Sequence, residues 1–116
     1  KIKRIKDSIK KESFITRIFN DVEISKCNKT IKRYNCYAKR FAAKEAFSKA
    51  LGTGISKGIN FNEIVVLNEK NGKPFIKLLK KTKEKVEKKL KKKKFKISLS
   101  LTDEDKYAVA FVTISI

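Results

Sequence analysis

Glu45 and Lys49 stand four residues apart in the stretch Arg33 to Leu51, which has no Gly or Pro and is rich in Ala, Lys and Phe. On a helix, residues i and i+4 share one face, so a carboxylate and an ammonium lie on one ridge. One turn further on comes Gly52-Thr53-Gly54, where glycine lets backbone N–H groups approach an anion closely. A carboxylate can hold Mg²⁺, and a lysine one turn away can meet a phosphate. The spacing suits a metal–diphosphate site. Set against it is the ordinary explanation, a surface ion pair worth about 0.2–0.5 kcal/mol.

Composition narrows the chemistry further. The chain has 116 residues, one domain's worth. It contains no His, which excludes His triads, His-ligated zinc and His acid–base catalysis. Its two cysteines, Cys27 and Cys36, cannot build an all-thiolate zinc site and are expected to be free thiols. No run of 18 apolar residues is present, which speaks against a transmembrane helix. The formal charge is +19, which favours an anionic partner. Residues 77–96 alone hold 12 Lys against Glu84 and Glu87. Such runs are commonly solvated faces, and 27 Lys against 4 Arg is also what a coding bias would leave.

Several elements must position these groups. Ile2, Ile5, Ile9, Ile15, Ile18 and Phe19 predict one or two short helices over 1–19, and 20–32 a turn with a short helix. Residues 33–51 predict a strong helix, capped by Gly52. Its residues Phe41, Ala42, Phe47 and Ala50 are expected to form a core face. Phe61 to Leu67 and Pro74 to Leu78 predict strands joined by the turn Asn71-Gly72-Lys73-Pro74. A Lys-rich helix is expected over 79–94. Phe95 to Leu101 alternates apolar with polar, and after a turn at 102–106 the β-rich run 107–116 should complete a hairpin. The whole is expected to be one α+β domain over 1–116, a long central helix packed on a small, mainly antiparallel sheet.

The 16-residue string from Arg40 to Ile55 (RFAAKEAFSKALGTGI) resembles the signature of the holo-(acyl-carrier-protein) synthases, a family of 4′-phosphopantetheinyl transferases. Lys3-Arg4-Ile5, Gly58 to Ile64, Asn71 to Pro74, Ile97 to Ser100 and Tyr107 to Ala110 agree in order with the family's other segments. The resemblance implies transfer of 4′-phosphopantetheine from coenzyme A to a serine of apo acyl carrier protein, for fatty acid biosynthesis, with adenosine 3′,5′-bisphosphate released. It implies Mg²⁺ held by Glu45 and by an Asp of the first motif. Lys49 matches the lysine near the transferred phosphate. Arg40, Lys44 and Gly52 match positions on the nucleotide side, and Asn71, Gly72, Lys73 and Pro74 a loop close to coenzyme A. Ser98 and Ser100 fall in the motif of the C-terminal hairpin and are carried over as cofactor contacts. A homotrimer with sites between subunits is implied as well. Arg4, Lys10, Lys11 and Arg17 are candidates for docking the acidic carrier protein, or else a solvated helix face.

The chain departs from the family in two places. The metal-ligand Asp is expected three residues before Lys1, and Leu101 stands where the family has His. Met is absent throughout, so a trimmed start is expected, with bacterial cytoplasm or import into a plastid as the alternatives for location. Without His, the serine proton is expected to pass to a metal-bound water or hydroxide oriented by Glu45. Two other functions stay open: a small basic nucleic-acid-binding protein, and a retained fold without activity. Against the first, aromatics are not interleaved with the Lys run as base stacking requires.

Overall fold

The computed structural model describes residues 1–52, 59–104 and 106–116. Four helices lead the chain: α1 (Ile2–Ser8), α2 (Glu12–Ile18), α3 (Asp21–Asn28) and α4 (Arg33–Leu51). A 3₁₀ turn (Phe61–Glu63) opens β1 (Ile64–Asn68), which pairs antiparallel with β2 (Pro74–Leu78). Then come α5 (Lys80–Leu90) and the antiparallel hairpin β3 (Lys96–Glu104) and β4 (Tyr107–Ser115). The expected α+β architecture is present, with its strands in two two-stranded sheets.

Local chemistry explains the boundaries. Asn20 caps α3 in a capping box: its side chain accepts from Val22 N, and Glu23 accepts from Asn20 N. Gly52 ends α4 with φ 86°, a left-handed residue that satisfies the last carbonyls. The strand expected from Phe61 begins at Ile64, because Glu63 N closes a turn on Asn60 O and its carboxylate accepts from Thr82. The turn expected at 102–106 is shorter, since Thr102, Asp103 and Glu104 keep the alternation and stay in register with Val109, Ala108 and Tyr107. The helix expected over 79–94 stops at Leu90, where Lys91 turns left-handed at φ 57°.

Two cores lie along α4, one on its C-terminal half and one on its N-terminal half. One gathers Ala43, Phe47 and Leu51 of α4 with Ile64, Val66, Ile76 and Leu78 of the first sheet and Val86 of α5, and the inner face of the hairpin packs against it. The other joins α1 and α3 to α4 through Ile5, Ile9, Phe19, Cys27, Cys36, Tyr37 and Ala38. Here Cys27 and Cys36 form a disulfide between α3 and α4, with Cα atoms 5.4 Å apart, which corrects the expectation of free thiols. The short 29–32 connection folds the two helices back on each other and brings the sulfurs together. Among the expected core face, Phe47 is buried, Phe41 and Ala42 are half-buried, and Ala50 is exposed.

An ion pair links the layers. Lys44 Nζ donates to Glu23 Oε1 (2.7 Å) and to the carbonyls of Phe61 (2.8 Å) and Ile64 (2.6 Å). Glu23 also accepts from Asn20 N and, through Oε2, from Val66 N (both 2.9 Å). Both side chains are 0% exposed. Removing one partner leaves a buried uncompensated charge, so Glu23→Ala should cost about 3–5 kcal/mol, read as a lower urea midpoint, whereas Glu23→Leu with Lys44→Met should recover most of it. Equal losses in the single and double variants would show that the pair does not act as a unit.

Candidate functional site

The ridge Ala38, Phe41, Ala42 and Glu45 of α4 faces α1. Together they enclose a cavity of ≈ 360 Å³ whose polar groups are Glu45, Lys1, Arg4 and Ser8, with Phe14 and Phe41 on its apolar wall. Glu45 is half-buried there. The described residues contain two ion pairs, Lys44–Glu23 and Lys39–Asp103, and Glu45 belongs to neither. Its carboxylate thus stands open to a ligand, in a cavity whose other charges are cationic. Lys49 follows one turn later, exposed, outside this lining. Gly52 is exposed at the helix end; Thr53 and Gly54 of the expected phosphate-approaching loop lie outside the described residues.

A second cavity, ≈ 510 Å³, opens on another side of α4. Arg40 sits in its wall, 4% exposed. Its Nη2 donates to Asn68 Oδ1 (2.9 Å), and Asn68 Nδ2 donates to the carbonyl of Gly72 (3.0 Å). Nη1 lies 3.1 Å from Cys36 Sγ and donates to Cys36 O, while Nε has no partner. Lys26, Lys32 and Lys39 add positive charge around it. Asp103 faces the same space; Asn35 donates to it at 2.7 Å and Lys39 pairs with it at 3.7 Å. The Asn35 hydrogen bond, helped by Lys39 and opposed by partial burial, holds its carboxyl below the usual range.

Arg40 is thereby wired to the turn it was expected to share a ligand with. In that turn Gly72 adopts φ 91°, Gly72 N donates to Glu69 O (2.8 Å) and Lys73 N to Asn71 Oδ1 (3.0 Å). Asn71, Gly72 and Lys73 are exposed and Pro74 half-buried. Asn68, Lys39 and Asn35 escaped sequence reasoning. The signal for the last two was their place on α4 beside Cys36 and Arg40, one turn apart.

Lys44 is corrected. Expected on the nucleotide side, it is fully buried against Glu23, and burial pushes its ammonium down to about 8 while Glu23 opposes. Ser98 and Ser100 point outward from β3, away from α4, beside Thr113 and Phe111, so within one chain neither meets either cavity. That outer face also carries Tyr107 (53% exposed), Val109 and Phe111 (71%). Leu101 points inward with the apolar alternation, packed on the core. Arg4, Lys10, Lys11 and Arg17 are exposed on and between α1 and α2, Arg4 on the rim of the Glu45 cavity. Among the described residues, no cluster of three His, Cys, Asp or Glu could hold a metal, and no helix is long and apolar enough to cross a membrane.

The Arg40–Asn68–Gly72 chain gives a direct test. Asn68→Ala strips a buried guanidinium of an acceptor and a turn carbonyl of a donor, and should cost about 1–3 kcal/mol. Amide exchange should speed up at Gly72 and Lys73; unchanged exchange there would uncouple the turn from α4.

Residues 1–112 match the family model of the 4′-phosphopantetheinyl transferase superfamily. A holo-(acyl-carrier-protein) synthase of Pelagibacter ubique is 46% identical over 109 residues, covering 94% of this chain and 85% of that protein. Among solved structures, a holo-(acyl-carrier-protein) synthase from Neisseria meningitidis superposes with a TM-score of 0.85 at 34% identity, over 99% of this chain and 90% of that one. One from Helicobacter pylori, in complex with coenzyme A, superposes with a TM-score of 0.81 at 30% identity, over 98% of this chain and 93% of that one.

Proposed function

From the premise that the chain belongs to the 4′-phosphopantetheinyl transferase superfamily, we propose that it moves 4′-phosphopantetheine from coenzyme A to a serine of apo acyl carrier protein, supplying fatty acid biosynthesis. The serine oxygen bonds to the β-phosphorus of the diphosphate, the bond from that phosphorus to the bridging oxygen breaks, and adenosine 3′,5′-bisphosphate leaves. The observation that carries this reading is the placement of Glu45: the signature's carboxylate is turned out of the core into a cavity flanked by cations.

Charge grows on the transferring and leaving oxygens, and groups fixed where it develops lower the barrier. Lys49, exposed one turn beyond Glu45, is the candidate for the transferring phosphate. Arg4 and Lys1 supply positive charge on the cavity wall. Glu45 orients the water that takes the serine proton.

Mg²⁺ characteristically takes one or two carboxylates together with substrate phosphates and water. Glu45, unpaired among the described residues and half-exposed to the cavity, fits as one of these. Lys1 lines the same cavity, so an Asp three positions upstream would lie within about 10 Å of reach and could supply the second. When bound, the ion neutralises charge on the diphosphate.

The nucleotide end of coenzyme A suits the Arg40 cavity, where Lys26, Lys32, Lys39 and the turn around Gly72 converge. Five helical positions separate Arg40 from Glu45, about 140° around α4. One coenzyme A therefore spans the two sites most directly if they come from neighbouring subunits. The homotrimer is proposed on that ground. Its contact would cover the exposed Tyr107, Val109 and Phe111 face and bring Ser98 and Ser100 toward the nucleotide. The carrier protein docks on Arg4, Lys10, Lys11 and Arg17, opposite charges setting register and on-rate more than affinity.

Glu45→Gln should lower Mg²⁺-dependent turnover by about 10²-fold or more with the thermal midpoint unchanged. Arg40→Ala should instead raise the KM for coenzyme A. Full transfer by Glu45→Gln would remove the carboxylate from the mechanism. Absence of transfer by a chain extended to carry an Asp three positions before Lys1 would favour a fold retained without activity.

A further inference from the structure

One feature of the molecule has no part in that reaction. All twelve lysines between Lys77 and Lys96 are exposed, and neither Glu84 nor Glu87 pairs with any of them. The segment's apolar residues all turn inward: Leu78 and Val86 are buried, and Leu79, Leu90 and Phe95 half-buried. Lys81, Lys85 and Lys88 fall at i, i+4 and i+7 of α5, on a ridge away from the Thr82, Val86 and Leu90 ridge that packs inward. The outward surface is therefore polar and predominantly cationic, with Glu84 the one exposed carboxylate among its lysines. It offers lipid no apolar side chain to insert and nucleic acid no exposed aromatic to stack a base on.

The position of α5 selects among anionic partners. Thr82 donates to Glu63 through both its amide (3.1 Å) and its hydroxyl (2.8 Å), anchoring α5 on the 3₁₀ turn. The other side of the same turn holds α2: Asn62 Nδ2 donates to Thr16 O, next to Arg17. The two basic elements, α2 with Arg17 and the lysine-rich α5, thus pack on one turn.

We propose that α5 and Lys91–Lys94 form a steering surface that draws an acidic protein, the acyl carrier protein of the reaction above, toward the α1–α2 docking face. This rests on that reaction for the partner's identity. Contact is by charge only, so the surface acts on association and not on the chemical step.

The test uses the full chain and the variant Lys81→Gln, Lys85→Gln, Lys88→Gln, Lys92→Gln, with apo acyl carrier protein as probe. Association is followed by stopped flow, and transfer and the KM for coenzyme A are measured in parallel. At low salt the variant should associate about 5–20-fold more slowly, with kcat/KM for the carrier protein falling equally and kcat and the coenzyme A KM unchanged. Near 1 M salt, where the Debye length is about 3 Å, the two proteins should agree within about two-fold. Equal association rates with equal salt slopes overturn the proposal. So does a variant that loses binding to duplex RNA while its carrier-protein kinetics stay intact, which assigns the surface to nucleic acid. Normal association without transfer by the unsubstituted chain would instead sink the reaction and leave the steering surface standing.

Discussion

The rotation of α4 about its own axis decides where Arg40, Glu45 and Lys49 face, and the buried Lys44–Glu23 pair fixes it. An ammonium taken out of water is tolerable with a carboxylate and good hydrogen-bond acceptors around it. Lys44 finds these in one place, between Glu23 and the carbonyls of Phe61 and Ile64. Turning α4 by one residue would strand that charge in an apolar core. Glu45, one position on, is thereby swung about 100° away from the core, onto the ridge of Ala38, Phe41 and Ala42 that faces α1. Arg40, one turn before Lys44, is carried along the buried ridge to Asn68. Two residues of opposite charge, adjacent in sequence, thus acquire opposite fates from one interaction.

Glu23 couples this to the helix before it. Its carboxylate closes the capping box of α3, accepts from Lys44 and accepts from Val66 of β1. Local capping, helix packing and strand docking are satisfied by the same two oxygens, so none of the three can shift alone. The Cys27–Cys36 bridge ties α3 to α4 beside it. This rigidity extends to the second cavity, since Cys36 contributes its sulfur and carbonyl to the setting of Arg40.

Elements governed by short-range pattern were legible in the chain. Residues 33–51 lack helix breakers and end on a glycine, and the helix runs over those residues. The period-two pattern of 95–101 placed Leu101 inward and Ser98 and Ser100 outward, as observed. What could not be read were choices made across the fold. A nine-residue spacing of cysteines says nothing about whether two helices will cross there, and so the disulfide was missed. Lys44 and Glu45 are equally polar, and a helix wheel cannot decide which of them enters the core. The deciding partner, Glu23, lies twenty-one residues upstream in a capping motif that reads as purely local. Asn68 is silent for the same reason: a lone asparagine at a strand end gains meaning when a guanidinium reaches it from another layer.

The two cavities also bear on why so small a chain should need a neighbour. A helix about 10 Å across with its side chains separates a carboxylate on one side from a guanidinium on another. A coenzyme A bound to both, as proposed, would have to reach around that helix or lie between two copies of it. The outer face of the hairpin leaves Phe111 71% exposed and Tyr107 53% exposed beside a row of serines and threonines. Solvated monomers seldom leave large apolar groups clustered in this way. Covering that face with another subunit would bury these side chains and bring one copy's Arg40 nearer another's Glu45, so that the stability of the proposed assembly and the completeness of its site would have one cause.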